Sequence, residues 1–180
     1  MMKILAFILV STLVPSLSQA GACKFEVNEV DKFEGSIRRA TSPTVLSKKL
    51  SGEAKPGKAI LIAHRKGEEI HLEFRLTMGM MNMQTQVEQN LNARKVTLLM
   101  DDGTKIDLPV VGSELPQVKP RYGGMAVDEL FLVPSDSLDT IRKGTVTAVR
   151  YHGAFHRFDA DTSGKLGAVI PTSLGCAVDG

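Results

Sequence analysis

"KAILIAHRKGEEIHLEFRLTMGMM", Lys58 to Met81, is the stretch that decides the fold. Its second half alternates without a break. Leu72, Phe74, Leu76, Met78 and Met80 fall on one side of an extended chain, and His71, Glu73, Arg75 and Thr77 fall on the other. Successive side chains of a strand point to opposite faces, so this period of two marks a strand with one face in a core. Ala59 to His64 is an apolar run before it, and "RKGEE" between the two carries the glycine that a reversal favours. The stretch reads as a hairpin, with strands over Ala59–His64 and from Ile70 onward.

The same grammar extends in both directions. "CKFEVNEVDKFEGSI" alternates through Phe25 and Val27, slips at Val30, and continues to Phe33 and Ile37, which predicts one or two strands. "KVTLLMDDGTKIDLPVV" is a second hairpin around "DDG". "MAVDELFLVP" and the β-branched "TVTAVRY" are further strands. Between them "SDSLDTIRKG" predicts a short helix, capped by Ser135 or Ser137 and stopped by Gly144. "RRATSPTVLSKKLSGEAKPGK" and "GSELPQVKPRYGG" break the pattern with proline and glycine and read as loops, the first with a helical turn over Val45–Leu50. Short strands punctuated by turns predict a mainly β chain: one antiparallel domain, a sandwich or a strongly curved sheet, with one or two short helices.

The first twenty residues stand apart. "MMK" carries a positive charge, "ILAFILVSTLV" is apolar, and "PSLSQA" ends in small residues, the order of a secretory signal peptide with cleavage after Ala20. The domain is then residues 21–180. The apolar run is too short for a bilayer span, and no other run is longer, so no membrane-spanning segment is expected. The two cysteines, Cys23 and Cys176, stand near the two ends of that domain, and an exported chain with an even count predicts a Cys23–Cys176 disulfide. Acylation of Cys23 is the alternative, on a poor match to a lipoprotein cleavage site. Together these features predict a periplasmic or secreted protein.

Charge narrows the partners. The formal charge of +2 falls to +1 once Lys3 is removed with the signal, which gives no reason to expect nucleic acid. The distribution is uneven: Arg38, Arg39, Lys48, Lys49, Lys55, Lys58, Arg65 and Lys66 lie in one stretch with the single acid Glu53. Arg38, Arg39, Lys48 and Lys49 are therefore a candidate binding surface for an acidic envelope protein or an anionic envelope component.

Metal chemistry has two candidates. In "FDADTSGKL", Asp159, Asp161, Ser163 and Gly164 fill the first, third, fifth and sixth positions of an EF-hand loop. Ile170 stands where the bidentate glutamate belongs, and Pro171 interrupts the exiting helix. A hairpin followed by a surface loop and a helix divided at Pro171 reads better than an EF-hand, leaving at most weak calcium binding by Asp159, Asp161 and Ser163. "MGMMNM" gathers Met78, Met80, Met81 and Met83, and thioether sulfur suits copper(I), although Met78 and Met80 also continue the apolar face of a strand. Among the histidines, His152 and His156 would be roughly 13 Å apart in one strand and close only across a turn.

None of the common catalytic signatures occurs: no G-x-S-x-G, H-E-x-x-H, C-x-x-C or phosphate loop. The reading that results is an exported, non-catalytic protein without a cofactor, which binds or inhibits another envelope protein or binds an envelope ligand. A metal-binding protein is the alternative, and a hydrolase without a recognisable motif comes third.

Overall fold

The computed structural model describes residues 23–47, 51–52, 58–78, 94–111, 125–152, 157–162 and 164–180. The signal segment, Lys48, Lys49, Met80, Met81, Met83, His156 and Ser163 lie outside them, as does the side chain of Met78. The protein is mainly β. Its strands are β1 (Phe25–Val30), β2 (Ile37–Thr41), β3 (Thr44–Ser47), β4 (Ser51–Gly52), β5 (Lys58–Lys66), β6 (Glu69–Met78), β7 (Lys95–Met100), β8 (Lys105–Pro109), β9 (Met125–Leu132), β10 (Val146–His152) and β11 (Arg157–Asp161). The helices are α1 (Ser135–Lys143) and α2 (Val169–Asp179), the latter entered through a 3-10 turn at Gly164–Ala168.

The strands form two antiparallel sheets. One runs β1-β2-β5-β6-β9, with β3 pairing the far half of β5, and the other runs β4-β11-β10-β7-β8. The inner faces share one core. Leu61, Ala63, Leu72, Phe74 and Leu76 come from the first sheet, Val96, Leu98, Leu108 and Val149 from the second, and Ile141, Ile170, Leu174 and Ala177 from the helices. Phe74, Phe131 and Tyr151 link the sheets edge to face, with ring centroids 5.6 and 6.0 Å apart. At one margin the sheets are stitched directly, because Val110 bridges Phe131 and the Val111 amide donates to the Leu130 carbonyl at 2.8 Å.

One charged group of β9 faces inward. The Arg94 guanidinium lies 3.3 Å from Glu129, with side-chain exposures of 1% and 0%, and the Tyr151 hydroxyl donates to the other oxygen of the same carboxylate. An ion pair so fully desolvated holds only while both partners stay, since removing one strands a buried charge at a cost of about 3–5 kcal/mol.

The Cys23–Cys176 disulfide is present, with Cα atoms 5.5 Å apart across 153 residues of sequence. By chain entropy alone such a loop stabilises by about 5 kcal/mol. It fastens the segment before β1 to α2.

Several local expectations are corrected. Arg38 to Ser47 is not a loop with a helical turn: β2 and β3 occupy it, and Leu46 is buried because β5 offers each of them a partner. The turn after β5 is the two residues Gly67 and Glu68, not five, with Gly67 at φ 61°. Phe33, expected in the apolar pattern, is 99% exposed at the β1–β2 tip, where the Asp31 carboxylate accepts the Phe33 and Glu34 amides. α1 starts after Pro134 with no side-chain cap, in place of Ser135 or Ser137, and Gly144 does end it. Asp159 and Asp161 belong to β11 and not to a surface loop, since β10 extends their pairing to Ala148. Pro171 does not divide α2: it sits in the first turn, where an amide has no partner within the helix to lose.

Candidate functional site

The outer face of the six-stranded sheet is built by register. With only Gly67 and Glu68 in the turn, β5 and β6 pair Lys66 with Glu69, His64 with His71 and Ile62 with Glu73. The next strands extend these rows: Arg38 pairs with Lys66, Ala40 with His64, Leu132 with His71 and Leu130 with Glu73. Two histidines thus lie directly side by side at the floor of a groove of about 890 Å³, with Val27, Ala40, Val111 and Leu130 as its apolar lining.

The polar groups on this floor are coupled. His64 Nε2 lies 2.7 Å from Glu73 Oε2, and Arg75 Nε donates to Glu73 Oε1 at 2.5 Å. Burial would raise the Glu73 pKa, but the hydrogen bonds from His64 and Arg75 outweigh it and hold the carboxyl below its ordinary range. An ionised carboxylate only accepts, so the His64 nitrogen facing it carries the proton. His71 is buried, and desolvation depresses its pKa; Glu69, 3.7 Å away, opposes this, while His64 and Lys66 add to it. The floor therefore holds one oriented imidazole, one neutral imidazole and one fixed carboxylate.

A carboxylate-oriented histidine is the arrangement that activates a nucleophile. Among the described residues, the groove lining offers donors, an acceptor and an apolar patch. Arg38 and Lys66 add positive charge at the end nearest the two hairpin turns, with Glu29 and Glu69 beside them in the same row.

The candidate basic surface is divided by this geometry. Arg38 stands in the outer row, while alternation turns Arg39 to the inner side. There Arg39 donates to the Val178 carbonyl at 3.1 Å and to Asn28 at 3.1 Å, and Arg65, its cross-strand neighbour, donates to Val178 at 2.7 Å. Arg39 thus helps finish a helix C-terminus, and Lys48 and Lys49 lie outside the described residues.

The candidate calcium ligands are likewise placed. Both oxygens of Asp159 receive the Arg150 guanidinium, Nε and Nη2 each at 2.8 Å, which holds the Asp159 pKa down. Asp161 lies two residues on in the same strand, and among the described residues no group of three His, Cys, Asp or Glu converges as a metal site. Of the methionine cluster, the backbone of Met78 pairs with Met125 at the end of β6.

Sequence reasoning missed the His64–His71 pair. A five-residue turn sets Ile70 opposite His64, whereas a two-residue Gly67–Glu68 turn gives positions that sum to 135, which brings His71 there. No protein-family model matches this chain, and neither a curated protein nor a solved structure does.

Proposed function

We propose that this is an exported, non-catalytic binding protein, acting in the periplasm or after secretion, that engages another envelope protein or an envelope ligand through the outer face of its six-stranded sheet. The observation that carries the reading is the groove floor: His64, His71 and Glu73 side by side in a recess with apolar lining. A few convergent polar groups over an apolar patch is the usual composition of a recognition site. The disulfide supports export, because such bonds persist in oxidising compartments. Among the described residues no helix is long and apolar enough to cross a membrane. Arg38 and Lys66 at one end favour an acidic or anionic group on the partner at that end.

Site-specific photo-crosslinking tests the assignment. A crosslinker replacing Lys66, at the groove margin, is expected to capture a defined partner from envelope extract, and the capture should fall when Glu73→Gln and His71→Gln are added. A crosslinker replacing Lys143, on α1, should capture nothing. Equal capture from both positions, or capture indifferent to the groove substitutions, overturns the reading.

A further inference from the structure

The five-stranded sheet carries a second groove on its own outer face, about 670 Å³, unconnected with the histidine pair. Its charges are ordered by register. In one row Asp107 pairs with Thr97, Thr97 with Arg150, and Arg150 with Asp159. In the adjacent row Lys95 pairs with His152 and His152 with Arg157. Three side chains that are cationic, or can become so, thus stand directly side by side across β7, β10 and β11. Like charges in directly opposed positions destabilise a sheet, and of these three Lys95 alone has a carboxylate within ion-pair distance among the described residues.

The acids in the groove are already committed. Asp107 accepts from Lys95 at 2.5 Å and from Thr97 at 2.6 Å, and Asp159 binds Arg150 through both oxygens. Among the described residues, neither Arg157 nor Lys105, at the other end of the groove, has a carboxylate within ion-pair distance, although the Arg157 charge also reaches Asp159. Asp161 lies two residues from Asp159 on β11, in the row of the groove-lining Ala148 and Leu99, and is not itself among the described lining residues. His152 responds to the resulting field. Burial lowers its pKa first, then Arg157, Lys95 and Arg150 lower it further, with Asp159 opposing them and Asp107 also within electrostatic reach of the ring.

We propose that the row Lys95–His152–Arg157 is a binding site for a phosphate-type anion, carried by a soluble phosphate compound or by a phospholipid headgroup. An ammonium, an imidazole and a guanidinium on one rigid three-strand platform supply the donors that tetrahedral oxyanions take, and the guanidinium offers a two-pronged contact. Bound phosphate places negative charge beside His152 and favours its protonated form, so binding and protonation reinforce one another.

The test follows the His152 ring by NMR in the full domain, titrated in inorganic phosphate and in chloride at equal ionic strength. The expected result is an upward shift of the His152 pKa of about one unit in phosphate, the lower end of what a close opposite charge produces. His71, on the other sheet, should not move. Arg157→Gln changes an exposed side chain, and should abolish the phosphate-dependent shift while leaving the fold intact. Co-sedimentation with phosphatidylglycerol vesicles, against phosphatidylcholine vesicles, separates the two sources. Sedimentation lost in Arg157→Gln assigns a headgroup, and a phosphate shift without sedimentation assigns a soluble compound. A His152 pKa identical in phosphate and chloride, or a shift that persists in Arg157→Gln, overturns the site. Because His64, His71 and Glu73 take no part, this outcome is independent of the partner-binding groove.

Discussion

His71 and Glu73 sit two residues apart on one face of β6, and the same burial acts on both with opposite results. His71 loses its charge, since desolvation finds no hydrogen-bonded carboxylate to offset it, whereas Glu73 keeps its charge because His64 and Arg75 each bond to it. Both native pKa values lie below their reference values of 6.5 and 4.5, so the unfolded chain binds more protons than the native state in both windows. Stability contributed by His71 is therefore complete above its unfolded value and declines as acidification carries the pH down toward its depressed native value. The Glu73 contribution declines lower, below the ordinary carboxylate range. Urea unfolding between about pH 8 and pH 2 should show both declines. His71→Gln should remove the upper one and leave the lower. A midpoint that rises on acidification from neutrality would contradict the assignment. The chemistry of the pair was legible in the residue types; its proximity was not, because one turn residue more or less moves every partner along the ladder.

α2 shows what an element owes to its surroundings. Its sequence holds a proline and an internal glycine and has no basic residue in its last turn, so little in its own composition ends it favourably. The sheet supplies the missing charge. Arg39 and Arg65 are directly opposed on β2 and β5, an arrangement that repels, yet both reach the Val178 carbonyl at the negative end of the helix. The helix terminus is the counter-charge that lets two arginines share a row. Arg65→Gln should cost about 0.3–2 kcal/mol, the range for a cation at a helix C-terminus. Thermal unfolding measures it, and the loss should grow in an Arg39→Gln background, where removing Arg65 no longer relieves a repulsion. β3 teaches the converse. "PTVLS" has proline before it and no alternation, so nothing local marks it as a strand. Only the free far half of β5, together with burial of Leu46, selects that conformation.

Over the whole molecule, the disulfide and α2 close the fold together. Cys176 lies among the buried residues of α2, which packs against β5 and α1, so the bond ties the start of β1 to the helix that covers one end of the core. Reduction should lower unfolding stability by up to about 5 kcal/mol, the entropic value for a loop spanning nearly the entire domain. Denaturant titration with and without reductant checks this, and Cys23→Ser with Cys176→Ser should match the reduced protein. A reduced protein as stable as the oxidised one would show that the helix docks unaided.

The chain's own pattern determined that the protein is β-rich and antiparallel, where its two long hairpins lie, and that Cys23 and Cys176 are its only possible disulfide. These features are local or arithmetical: a period of two, turn residues at fixed offsets, and a cysteine count of two. Tertiary structure decided which arginine faces outward, that Asp159 answers Arg150 in a strand, and that His64 meets His71 above a fixed carboxylate. Those are relations across strands, set by register and by which sheet edge remains open. Free energy summed over a whole ladder chooses the register, so residues that look independent along the chain become neighbours only once the core is packed.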